Sequence, residues 1–147
     1  MLDLANNVFF TNLVTILVGV VIFVIGQAVL KFVLEPMFEQ RRVIGEVVNS
    51  VIFYAHVYAN PGGSSKKAMD EAHQNLRHNS SELRASTHVI PSYALWESLG
   101  IVRKHADILE VGKELIALSW GVYPKNDPLK NVDARDRVFE ILDVKTE

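Results

Sequence analysis

Leu4 through Leu30 carries no charged residue, and its centre from Leu13 to Ile25 is almost wholly aliphatic. About 20 apolar residues let one helix cross the hydrocarbon layer of a bilayer, so this stretch is long enough to be a transmembrane helix. A cleaved signal peptide fits less well. Such peptides open on basic residues and close on a small-x-small cleavage site. Here the amino end offers only Asp3, and the apolar run continues through Val29, Leu30, Phe32, Val33 and Leu34. The sequence therefore predicts a retained anchor over residues 1–34 and a separate domain over residues 35–147. No Lys or Arg precedes the apolar stretch, whereas Lys31, Arg41 and Arg42 follow it. Basic flanks are held on the cytoplasmic side. That predicts an outside amino terminus, a cytoplasmic domain, and a topology and lipid-headgroup role for these three residues. The absence of cysteine agrees with a reducing compartment.

One face of the predicted span differs from the rest. At ~100° per residue, Asn12, Thr15, Gly19 and Gly26 share a stripe, while Leu17, Val18, Val21, Val24 and Ile25 cover much of the remaining surface. Small and polar residues let a second membrane helix approach closely and supply hydrogen bonds across the contact, so the stripe is expected to be a helix-packing face. Glycine is also simply common in such helices, and the separation of Gly19 and Gly26 is not that of GxxxG.

Beyond the span the patterning is helical throughout. Glu35-Pro36 predicts a kink or break. Met37 to Ala59 then presents Val43, Ile44, Val47, Val48, Val51, Ile52, Tyr54, Ala55 and Tyr58 as a broad apolar surface. This reads as the central helix of the domain, the alternative being a second membrane segment; Glu46 and the short apolar length favour the core helix. Asn60 to Ser65 is a turn cluster in which Ser64 or Ser65 can cap the next helix. That helix has a thin seam of Met69, Ala72, Leu76, Asn79, Leu83, Ser86 and Ile90. Pro91 ends it, and a short helix over SYALWESL is closed by Gly100, with Ile101 folding back on Trp96. A helix from about Lys104 to Val122 buries Ile108, Val111, Gly112, Leu115, Ile116, Ser119 and Val122. After a loop bracketed by Pro124 and Pro128, Asn131 is expected to cap a last helix that uses Val132, Val138, Ile141 and Leu142. The expected fold is thus membrane all-α: one N-terminal transmembrane helix and a compact cytoplasmic domain of about five helices.

No catalytic signature emerges. His73 and His78 are five apart rather than the four that brings two imidazoles together, and there is neither HExxH nor cysteine to complete a metal site. No GxSxG elbow or phosphate-cradling glycine loop occurs. From Val43 onward twelve Lys or Arg face fourteen Asp or Glu, which gives a phosphate backbone little to bind. No enzyme activity, cofactor or nucleic-acid partner is expected.

The stretches LKFVLEPMFEQRRVIGEVV, SSELRASTHVIPSYALWESLGIV and ADILEVGKELIALSWGV resemble those of a family of small bacterial membrane proteins with one N-terminal transmembrane helix, whose chemistry is uncharacterised. The resemblance covers about Leu30 to Val122. It implies a bacterial inner membrane and carries over no functional residue. Two functions follow as expectations. The first is a noncatalytic membrane-tethered interaction or accessory protein whose partners are the lipid bilayer and either its own copies or other membrane subunits. The second is an oligomeric membrane effector or pore with a ligand- or stress-sensing domain.

Overall fold

The computed structural model describes residues 2–144, with side chains from Phe9 onward. All regular structure among them is helical: α1 Leu2–Val29, a π-helical turn Leu30–Leu34, α2 Glu35–Phe53, α3 Ala55–Tyr58, α4 Lys66–Val89, α5 Tyr93–Ser98, α6 His105–Gly121 and α7 Pro128–Leu142.

Four of these form an up-down-up-down bundle, and side-chain bonds fix the direction of each pair. Gln40 Nε2 lies 3.5 Å from Ser86 Oγ and Asn79 Nδ2 donates to Ser50 Oγ at 2.7 Å, so α4 runs antiparallel to α2. Ser80 Oγ donates to the Gly112 carbonyl at 2.8 Å and His73 Nδ1 lies 2.8 Å from the Ser119 carbonyl, so α6 runs back along α4. Asn131 reaches the Gly121 carbonyl and Arg137 the Glu114 carboxylate, which lays α7 antiparallel to α6. The core between them contains Val43, Val47, Val51, Leu76, Leu83, Ile108, Val111, Leu115, Leu118 and Val138. This is the 3.6-residue pattern expected of helices burying one stripe each.

Pro36 does not break the chain out of the helix. The Glu35 N–H bonds to the Leu30 carbonyl, five residues back, and Pro36 then occupies the first turn of α2. A proline lacks the N–H and crowds the carbonyl four residues back; the wider π turn removes that conflict, and the first turn needs no proline N–H. Phe9–Phe53 is consequently one helix, with an apolar window of mean hydropathy 2.8 of which 0% is buried. It is the one helix among the described residues long and apolar enough to cross a membrane.

Three other expectations are corrected. The helix begun at Glu35 stops at Phe53 rather than Ala59, because Tyr54 leaves helical geometry at φ −89° and ψ 9°. The Tyr58 hydroxyl donates to the Val51 carbonyl at 2.7 Å across this break. Val57 and Tyr58 are buried beyond the break, whereas Ile52, expected in the core, stands one residue off the buried Val43–Val47–Val51 row of α2 and is 58% exposed. In α6, Ile116 is only partly buried, and Leu118 takes the interior position. The cap of α7 is Asp127, whose carboxylate accepts the Leu129 N–H at 3.0 Å ahead of Pro128 in the first turn. Asp followed by Pro suits a helix start, and Asn131 is buried inside the bundle instead.

Candidate functional site

The packing-face residues Asn12, Thr15, Gly19 and Gly26 all lie on α1 and all are exposed. Thr15 Oγ1 donates to the Thr11 carbonyl at 2.9 Å, within its own helix. A Cβ built at Gly19 or Gly26 would meet nothing within 4 Å, so no other described part of the chain approaches the stripe.

The three basic residues differ from one another. Lys31 is exposed within the π turn. Arg42 is held by two carboxylates one turn to either side: Nη2 lies 2.6 Å from Glu39, and Nη1 bonds Glu46. The hydrogen bond from Arg42 lowers the Glu39 pKa, and the same pairing raises that of Arg42. Arg41 forms no such ion pair and lines a groove of about 450 Å³ between the first turns of α2 and residues 100–103. Met37, Ile44 and Ile101 give that groove its apolar walls.

A buried polar node holds this end of the bundle together. Gln40, almost fully buried, donates from Nε2 to the Tyr93 hydroxyl at 2.9 Å. That hydroxyl donates to the Arg103 carbonyl at 2.7 Å, and the Arg103 guanidinium donates to the Ile141 and Leu142 carbonyls at 3.2 and 2.7 Å. The start of α2, the α5 region and the C-terminal end of α7 are thereby joined. Burial raises the Tyr93 pKa, which keeps its hydroxyl a donor. The node was not anticipated. Its signal was Gln40 itself, three and seven residues before Val43 and Val47 and therefore on their inward face.

Helix α5 is shaped by two left-handed residues. Ser92 at φ 53° turns the chain out of α4, and Gly100 at φ 69° ends α5. Gly100 N–H bonds the Glu97 carbonyl, and Ile101 N–H bonds that of Trp96 at 3.0 Å, the Schellman arrangement expected for this glycine.

The hydroxyls and imidazoles serve the scaffold. Ser80, Ser86 and Ser119 each donate to a helix carbonyl. His73 packs edge-on against Trp120 with ring centroids 4.7 Å apart, His105 lies against Tyr93, and His78 pairs with Glu82 at 3.3 Å. Among the described residues no three His, Cys, Asp or Glu side chains gather as metal ligands would. No protein family matches the chain, and no curated protein or solved structure matches it either.

Proposed function

We propose that this chain is a noncatalytic, membrane-tethered helical interaction protein that associates with itself or with a membrane complex. In this reading α1 crosses a bacterial inner membrane with its amino end outside, and the bundle lies in the cytoplasm. The observation that supports it most is the bare apolar surface of α1. Phe9, Phe10, Ile16, Ile22 and Phe23 are each at least 64% exposed. In water such a surface would be a severe aggregation liability, whereas in hydrocarbon it is the proper solvent. The helical continuity from α1 into α2 then holds the bundle directly beneath the bilayer.

The stripe of Asn12, Thr15, Gly19 and Gly26 supports association through the span, since small residues permit close helix approach. An oligomeric pore would use the same stripe, but its residues carry no ionisable group, which favours packing over conduction. Mild-detergent purification of the full chain, with the mass of the intact assembly and the identity of what copurifies, tests the proposal. A homo-oligomer or a defined membrane complex supports it. A monomer that partitions into the soluble fraction refutes it.

A further inference from the structure

We propose that the connection between α4 and α6, Val89 to Lys104, is a second membrane contact that rests against the headgroup layer of the leaflet from which α2 emerges. The inference rests on α1 spanning the bilayer, and it adds a surface that the span alone does not require.

The depth of this segment follows from the fold. Gln40 is six residues past Leu34, the last residue of the predicted anchor, and thus about 9 Å further along the helix at ~1.5 Å per residue. The headgroup region on each side of the hydrocarbon is roughly 5 to 8 Å thick, so Gln40 stands at its aqueous edge. The Gln40–Tyr93 hydrogen bond of 2.9 Å pins α5 at that level. The antiparallel order of the bundle also brings the end of α4 and the start of α6 there, so their connection crosses the end of the bundle that faces the span.

Its surface has the composition of an interfacial element. Val89, Leu95, Leu99 and Ile101 are 63%, 54%, 59% and 41% exposed, and no residue of α5 is buried. Nothing else in the described chain covers these side chains. Trp96 stands among them with its indole N–H donated to the Pro91 carbonyl at 2.9 Å, the amphipathic aromatic favoured at a membrane–water boundary. Arg41, free of ion pairs, and the exposed Lys104 flank the patch with the charge that anionic headgroups attract. Phe38, 60% exposed at the same level, lies on the side of α2 away from Gln40 and continues the apolar surface of the span there. An apolar patch with a basic border, held at the aqueous edge of the headgroup layer, fits a lipid surface.

The chain contains no cysteine, so single labels can be placed in the full-length protein. Phe23→Cys, Leu95→Cys, Leu99→Cys and Leu129→Cys variants would each carry an environment-sensitive fluorophore in vesicles of phosphatidylcholine and phosphatidylglycerol containing a headgroup-level spin-labelled lipid or an acyl-chain one. Leu129, 73% exposed at the opposite end of the bundle, is the aqueous control. The expected result is strong quenching at Leu95 and Leu99 by the headgroup-level quencher, at Phe23 by the acyl-chain quencher, and none at Leu129. Quenching at Phe23 alone would overturn the second contact and leave the span intact. Blue-shifted emission at Leu99 without lipid quenching would mean that protein covers the patch and would also overturn it. Absence of quenching at Phe23 would refute the spanning helix, and the second contact with it.

Discussion

Asn131→Asp replaces one NH2 group by an oxygen and should be more damaging than Asn131→Ala. Asn131 is buried, and its Nδ2 donates to the Tyr58 carbonyl at 2.7 Å and to the Gly121 carbonyl at 2.9 Å. It thereby bolts the end of α3, the end of α6 and the first turn of α7 to one another. Alanine removes both donors and strands two buried carbonyls. At about 1 to 3 kcal/mol for each unsatisfied group, less what local relaxation recovers, the loss should be about 2 to 4 kcal/mol. Aspartate keeps the shape but sets a carboxylate against two carbonyl oxygens, which costs several kcal/mol more or forces the group to bind a proton. Against a total stability of about 5 to 15 kcal/mol, aspartate brings the bundle close to unfolding. A capping role predicts the reverse order, because aspartate caps as well as asparagine and alanine loses only about 1 kcal/mol. Gly121 supplies a second arm. A Cβ there would stand 2.0 Å from Asn131 Oδ1, so Gly121→Ala should be disruptive alone and partly rescued by Asn131→Ala. Urea unfolding of the full chain in micelles, followed by tryptophan fluorescence, measures all four variants. Equal or greater stability of Asn131→Asp relative to Asn131→Ala, or additive effects of the two alanines, would refute the reasoning.

Val51→Asp, at a fully buried α2 position, should abolish cooperative unfolding of the bundle and open it to protease, while Ile52→Asp on the exposed side should shift the midpoint little; similar behaviour would contradict the observed phase of α2. Gly19→Ile and Gly26→Ile should reduce cross-linking between copies or with a copurifying subunit, and Val18→Ile should behave as the parent; a uniform response would reduce α1 to a plain tether. Burial pushes the Tyr58 pKa up to about 12, so its folded form holds the phenol proton to higher pH than the unfolded chain does. Its contribution is complete below pH ~10 and falls between ~10 and ~12, by roughly 2 to 3 kcal/mol. Tyr58→Phe should remove that part of the alkaline destabilisation, and an unchanged pH profile in urea titrations would count against it.

Much of the bundle was legible because burial imposes a period on the chain. Leu76 and Leu83, Ile108, Val111 and Leu115, and the Val43–Val47–Val51 row all repeat at helical spacing and all lie in the core. Local capping chemistry was readable too: Ser65 accepts the Ala68 N–H, and Gly100 ends α5. What escaped depends on geometry that spacing does not encode. A π turn at Leu30–Leu34 is a choice of hydrogen-bond partner, not a residue pattern. Ile52 lies one residue off the buried Val47–Val51 row, and a run in which both faces are apolar carries no mark of which face turns inward. Asn131 shows the same ambiguity, for a polar residue near a helix start is equally compatible with a cap and with a buried bridge. The packing stripe of α1 follows from helical period alone; its four residues are exposed, and a Cβ at Gly19 or Gly26 would meet nothing within 4 Å.

Because α1 and α2 form one rod without a joint, they share a single rotational phase. The line through Asn12, Thr15, Gly19 and Gly26 stands at a set angle to the row of Gln40, Val43, Val47 and Val51 that points into the bundle. The π turn takes up one residue more than an α turn within a single turn, so a chain one residue shorter there could close as α-helix with the phase kept, whereas one residue lost elsewhere in the rod would rotate the bundle by ~100° against the stripe. A helix that docks against α1 therefore also dictates which side of the bundle faces a neighbour. A twist of α1 would be felt at the Gln40–Tyr93–Arg103 node, where the rod is bonded to the rest of the bundle.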